Sequence, residues 1–259
     1  MLKLKNIYLF FFISVIVSTL ARAFCLIYTT EPATGFLLHR MKGLGIALMA
    51  FMTVVLVCLF VFSLFIKETP KYKSKPSAFL GLSSLALSIA LFVDMVRCML
   101  LPHGELWQFA AKEAFGLLSA IIFLLYSINA VKKIHFSPVF FAFPILFTVF
   151  QTVEVFTSYA TLAIIPEHLF DLAVLCFLAV FLLYFAKNAA KIDGKYKKAL
   201  LPVALCSSAL CIVSFFSRTI TVLSGCLDRI HGENPLSVSL LFFGIFIFAW
   251  VYEGSKQEN

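Results

Sequence analysis

Apolar and polar positions alternate along this chain in long blocks rather than singly. Eight apolar runs extend from about Ile7 to Tyr28, Leu44 to Ile66, Ala78 to Leu100, Phe109 to Val131, Pro138 to Tyr159, His168 to Ala186, Ala199 to Ser224 and Pro235 to Tyr252. Each is close to the ~20 residues a helix needs to cross a ~30 Å hydrocarbon core. The connections between them are short. The pattern therefore predicts an all-α, polytopic integral membrane protein of eight transmembrane helices, with no separate soluble domain. Asn234-Pro235 is expected to open the last helix, and Pro144 to kink the fifth.

Composition agrees. Of 259 residues, 62% are hydrophobic and 13% charged, and the mean hydropathy is +1.01, whereas a soluble domain carries about 25% charge. Soluble kinase, nucleotide-binding and DNA-binding classes are excluded on this ground. A net charge of +8 would point to nucleic acid in a soluble protein, but here the lysines are confined to alternate connections. Lys3 and Lys5 precede the first run; Lys67, Lys71, Lys73 and Lys75 follow the second; Lys132 and Lys133 follow the fourth; Lys187, Lys191, Lys195, Lys197 and Lys198 follow the sixth. By the positive-inside rule both termini are expected in the cytoplasm of a multi-pass cell-membrane protein. Trp107 and Tyr159 at the outer boundaries, with Tyr8, Tyr184, Trp250 and Tyr252 at the inner ones, fit an aromatic belt. The 31 phenylalanines suit a lipid-facing shell. Lys3, Lys5 and Ala21-Arg22-Ala23 also resemble a cleavable leader, but the apolar run continues through Phe24, Leu26 and Ile27, which favours a retained helix. Of seven cysteines, Cys25, Cys98 and Cys226 lie near the outer boundary, where one disulfide can form if that compartment oxidises.

The chain also resembles itself. At an offset of 124, Lys67 aligns with Lys191, Lys71-Tyr72-Lys73 with Lys195-Tyr196-Lys197, Ser83-Ser84 with Ser207-Ser208, and Phe92 with Phe216. Beyond, His103-Gly104-Glu105 matches His231-Gly232-Glu233. A parallel internal repeat of two four-helix units, 1–133 and 134–259, is expected, related by a pseudo-twofold axis along the membrane normal. The axis would place Arg22 opposite Glu154 and Asp94 opposite Arg218, charge-swapped counterparts able to pair.

Charge within the runs is rare and unevenly placed. Arg22, Asp94, Arg97, Glu113, Gln151, Glu154, Asp171 and Arg218 all fall near the outer ends of their helices, at one common depth; Arg22, Asp94, Glu154 and Arg218 lie about 23–27 Å from the cytoplasmic start, and Asp171 and Glu113 about one turn in from the outside. An ionisable group in a membrane helix costs about 2.5–3.5 kcal/mol on insertion scales and persists where it pairs or functions. With Lys112 included, the layer holds four cations and four anions. Two uses are expected: an outward polar pocket that binds or moves a small polar or charged solute, or a girdle of salt bridges in a structural or sensory protein. Arginines suit a carboxylate or phosphate, and Glu154 or Asp171 would serve a proton-coupled transporter. The outer connections supply a third use, since each carries a histidine with a glutamate: Glu31 and His39, His103 and Glu105, Glu167 and His168, His231 and Glu233. Such groups suggest an intramembrane hydrolase of lipid headgroups, zinc-dependent if they converge. No catalytic motif is present, so a non-enzymatic protein without cofactors is expected, its partners being membrane lipids and a small polar solute.

Overall fold

The computed structural model describes residues 4–32, 34–66, 77–100, 106–132, 137–160, 166–192, 196–230 and 237–255. They form α1 (Leu4–Phe24), α2 (Lys42–Leu64), α3 (Ala78–Leu100), α4 (Leu106–Lys132), α5 (Ala142–Ala160), α6 (Pro166–Ala189), α7 (Tyr196–Leu223) and α8 (Val238–Ser255). Among the described residues there is no strand, and Thr30 and Leu37 make one isolated antiparallel bridge. All eight helices give spans long and apolar enough to cross a membrane, as a multi-pass membrane protein requires.

Helix ends depart from expectation in ways that bear on the site. α1 does not stop at Phe24 but continues as a π-helical turn over Cys25–Thr29. α6 begins at Pro166, two residues before the apolar run, and so takes Glu167 into its first turn. Pro144 is the third residue of α5, where no intrahelical donor is needed, so it opens that helix instead of kinking it. Asn234-Pro235 lies outside the described residues.

Six helices close a circuit, α3 on α4, α4 on α5, α5 on α6, α6 on α7, α7 on α8 and α8 back on α3, while α1 and α2 pack together against α7. The inside of the circuit is solid. Phe123 and Tyr126 of α4, Phe185 of α6 and Phe246 of α8 meet edge to face at centroid distances of 5.2–5.8 Å. Trp250 sits on Phe181 and Phe185. Many phenylalanines are thus core rather than lipid-facing, because flat rings fill a wide interhelical space that aliphatic chains of the same helices would leave open. The burial of Trp250 likewise removes it from the expected belt.

α7 is the hub. In its most apolar stretch 78% of residues are buried, against 17% for α2. Ala204, Cys206, Ser207, Ser208, Ala209, Cys211, Ser214 and Ser217 keep it slim on every side, which lets neighbours approach closely. The Ser208 hydroxyl donates to the Gly244 carbonyl of α8 at 2.7 Å, and the Ser84 hydroxyl to the Phe123 carbonyl of α4 at 2.7 Å. A Cβ added at Gly244 would lie 2.6 Å from Ile212 and 3.1 Å from the Ser208 carbonyl, neither of which can move easily. Gly244→Ala is therefore expected to destabilise by about 1–3 kcal/mol in chemical denaturation. Gly116→Ala, whose new methyl meets chiefly the flexible Met95 side chain, is expected to cost less than about 1.5 kcal/mol.

A twofold axis relating residues 1–133 to 134–259 would pack α4 on α7 as α8 packs on α3. Among the described residues α4 has no comparable packing on α7. The two sets of four helices interleave instead, with α3 on α8 and with α1 and α2 on α7.

Candidate functional site

One end of the bundle gathers the close of α1, α3, α5 and α7 with the start of α2, α4, α6 and α8. At this end the π-helical turn that finishes α1 runs into a tight hairpin. Leu38 N–H donates to the Thr29 carbonyl at 2.8 Å, Glu31 N–H to the Phe36 carbonyl at 2.7 Å, and Gly35 turns the chain at φ 73°. A side chain other than glycine is disfavoured at that dihedral. The Arg229 guanidinium donates to the carbonyls of Ile27 and Thr30, closing the end of the turn from the α7–α8 connection.

Beneath the hairpin lies a buried ionic cluster built on α1, α6 and α7. Its centre is Glu167, whose side chain is 2% exposed. One Glu167 oxygen accepts from Arg218 Nε at 3.2 Å, and Arg218 Nη2 reaches the Asp171 carboxylate at 2.5 Å. Arg22 approaches the same Glu167 oxygen only to 4.0 Å, and its guanidinium carbon lies 3.5 Å above the Phe170 ring, a cation–π placement. Its Nε and Nη2 have no hydrogen-bond partner. α6 starts at a proline, which suits the first helical position, and an acid in the first turn is favoured by the helix dipole. Glu167 is thus held by local preferences as well as by two arginines.

A cavity of about 20 Å³, room for about one water, is lined by Arg22, Cys25, Thr30, Leu37, Met52 and Glu167, among others. Further hydroxyls are buried on α1 and α7, which pack on one another. Ser14 and Ser18 stand eight and four residues before Arg22, on one helical face, and Ser214 four before Arg218. All three are buried, and their oxygens, like that of Thr19, have no partner. Nearby Thr221 makes the ordinary bond to the carbonyl four residues back.

The remaining expected residues are elsewhere. Asp94 is buried on α3 and accepts from Ser239 N–H at 2.9 Å and Ser237 hydroxyl at 3.2 Å, so it caps the start of α8. Glu154 accepts two bonds from Lys112 Nζ, at 2.8 and 2.7 Å. Glu113 and Gln151 are half-buried, and neither makes an ion pair or side-chain hydrogen bond among the described residues. Arg97 is exposed and lines an apolar groove of about 360 Å³ with Phe92, Val93, Val96 and Leu100. The expected pairs Arg22 with Glu154 and Asp94 with Arg218 do not form, because α1 packs on α2 and α7 rather than on α5, and α3 packs on α4 and α8 rather than on α7.

Of the four histidines weighed as metal ligands, His39 is exposed, His168 is buried at the start of α6, and His103 and His231 lie outside the described residues. No group of three or more His, Cys, Asp or Glu among the described residues is placed to hold a metal. Among the described residues no disulfide links Cys25, Cys98 and Cys226. Glu167, the hub of the cluster, was visible in sequence only as a connection residue; Pro166 was the signal that the helix began before it. No family model matches the chain, and no curated protein or solved structure proved similar to it.

Proposed function

We propose that this is a multi-pass membrane protein of the cell membrane, both termini cytoplasmic, that binds and moves a small polar or charged solute through the seam between α1 and α7. One observation carries the reading: a buried arginine with unpartnered donors is continued into the bundle by buried hydroxyls that also lack partners. A hydroxyl or guanidinium buried without a partner costs about 1–3 kcal/mol or more, and a close-packed structural seam would satisfy or avoid such groups. The positive-inside distribution of lysines supports placing the cluster at the outer face. The matching hydroxyl bonds of Ser84 and Ser208, equivalent at the offset of 124, support descent from a duplicated four-helix unit whose copies have since packed differently.

The structural girdle is favoured for part of the layer. Glu154, Asp94 and Arg218 have close partners, and in this reading they hold α4 to α5, α3 to α8 and α7 to α6. The solute path is confined to Arg22 and the α1–α7 seam.

The path is tested without knowing its cargo. Ser18→Cys and Ser214→Cys, reconstituted in vesicles, are expected to react with a membrane-impermeant methanethiosulfonate at least about tenfold faster than Phe123→Cys in the solid aromatic core, after subtraction of the wild-type background. Rates equal to that of Phe123→Cys sink the path and leave the girdle.

A further inference from the structure

We infer that the site takes a small aliphatic carboxylate, bound side-on by Arg22 beneath the hairpin that joins Thr30 to Leu37 by their antiparallel bridge. The inference rests on the solute-binding reading and names its ligand class. Arg218 is already engaged with Glu167 and Asp171, so it offers an incoming anion little. Arg22 differs in a specific way. Its two unpartnered atoms, Nε and Nη2, are the pair along one edge of the guanidinium, the edge that donates two parallel hydrogen bonds to a carboxylate. The nearest internal carboxylate, on Glu167, stands off at 4.0 Å and does not take them. A planar two-oxygen anion therefore matches the unmet donors, whereas an ammonium would meet an arginine with nothing to accept from it.

The walls set the rest of the ligand. Besides Arg22, Glu167 and Thr30, the cavity is lined by Leu26, Leu37, Met49 and Met52; these four suit a short apolar tail on the carboxylate, and methionines adapt to tails of differing shape. Size then requires movement. A cavity of about 20 Å³ holds a water and not a carboxylic acid, so the hairpin must lift for entry. It is attached by Leu37 against Gly45 and by Arg229 on the Ile27 and Thr30 carbonyls.

The experiment is thermal unfolding of the full chain in detergent, with sodium acetate, propionate and butyrate compared with sodium chloride and ethylammonium chloride at equal ionic strength. A ligand that binds the folded state raises the melting temperature with the logarithm of its excess. The carboxylates, and not chloride or ethylammonium, are expected to raise it saturably. Arg22→Lys keeps the charge but loses the planar edge and is expected to weaken the effect about tenfold. Leu37→Ala, which enlarges the wall without touching the arginine, is expected to shift the preferred tail towards butyrate, and it decides the matter if Arg22 variants do not fold. A saturable shift with ethylammonium alone overturns the carboxylate inference and leaves the solute path standing, as do equal shifts with chloride and carboxylates. No shift with any probe, together with an unreactive Ser18→Cys, overturns both.

Discussion

Glu167→Leu is expected to destabilise the fold by about 3–5 kcal/mol, seen as a fall of roughly 6–20 °C in melting temperature in detergent. The substitution removes the carboxylate that Arg218 holds by Nε at 3.2 Å and that Arg22 approaches at 4.0 Å. Both guanidiniums would stay buried, Arg218 with Asp171 alone and Arg22 with only the Phe170 ring face. A buried charge left without its counter-ion is the costly case, far more so than removal of a complete pair. The double variant Glu167→Leu/Arg22→Leu is accordingly expected to recover part of the loss, since it removes the least satisfied cation. A double-mutant cycle with no coupling between the two positions would mean that Arg22 does not feel Glu167 at 4.0 Å. Glu154→Gln makes a useful contrast. That pair is partly exposed, with Glu154 at 27%, and its loss is expected to cost only about 1 kcal/mol or less.

The second large effect belongs to Asp94. Asp94→Leu is expected to cost about 2–3 kcal/mol, measured by the same melts, because two bonds to a charged acceptor are lost and Ser239 N–H is left buried without a partner. The residue acts from a distance in sequence as a cap usually acts locally. Its carboxylate meets the second residue of α8, one of the first four amides that no helix satisfies for itself, and its charge lies at the favourable end of the helix dipole. Asp94→Asn keeps an acceptor oxygen and is expected to retain more than half of the stabilisation. Equal losses for Asn and Leu would show that packing at the site, not capping, sets the cost. Either outcome leaves the Arg22 site untouched, since Asp94 belongs to the α3–α8 interface.

How much of this was legible before folding differs from group to group. The spans were legible because a helix in hydrocarbon must satisfy its own backbone and present apolar side chains over about 20 residues. That Arg22, Asp171 and Arg218 stand at one level of the bundle was legible too, since they can be counted along their helices at a fixed rise. Their partners were not. A repeat at an offset of 124 suggested that Arg22 would face Glu154, but helix adjacency is set by which faces are slim, and α7, with its run of serine, alanine and cysteine, was drawn into the centre. Arg218 came with it and met the first turn of α6. Glu167 was missed because an apolar run does not show where a helix begins, and Pro166 outweighs hydropathy in deciding that. The phenylalanines divide for a related reason, Phe12, Phe51, Phe92 and Phe156 being exposed and Phe123, Phe185 and Phe246 core: composition counts rings but cannot say which side of a helix becomes interior.

By itself the sequence determined that this chain makes eight membrane-length helices, that lysines collect in alternate connections, and that ionisable side chains gather near one end of several helices. Those are one-dimensional consequences of hydrocarbon thickness, helix rise and insertion cost. Only the tertiary structure decided that six helices close around an aromatic core, that Asp94 caps α8, and that Glu167 sits between two arginines. It also decided that Nε and Nη2 of buried Arg22 find no hydrogen-bond partner. Those outcomes depend on which helix lies beside which, and that order follows from the shapes of packed faces, which no count along a single helix contains.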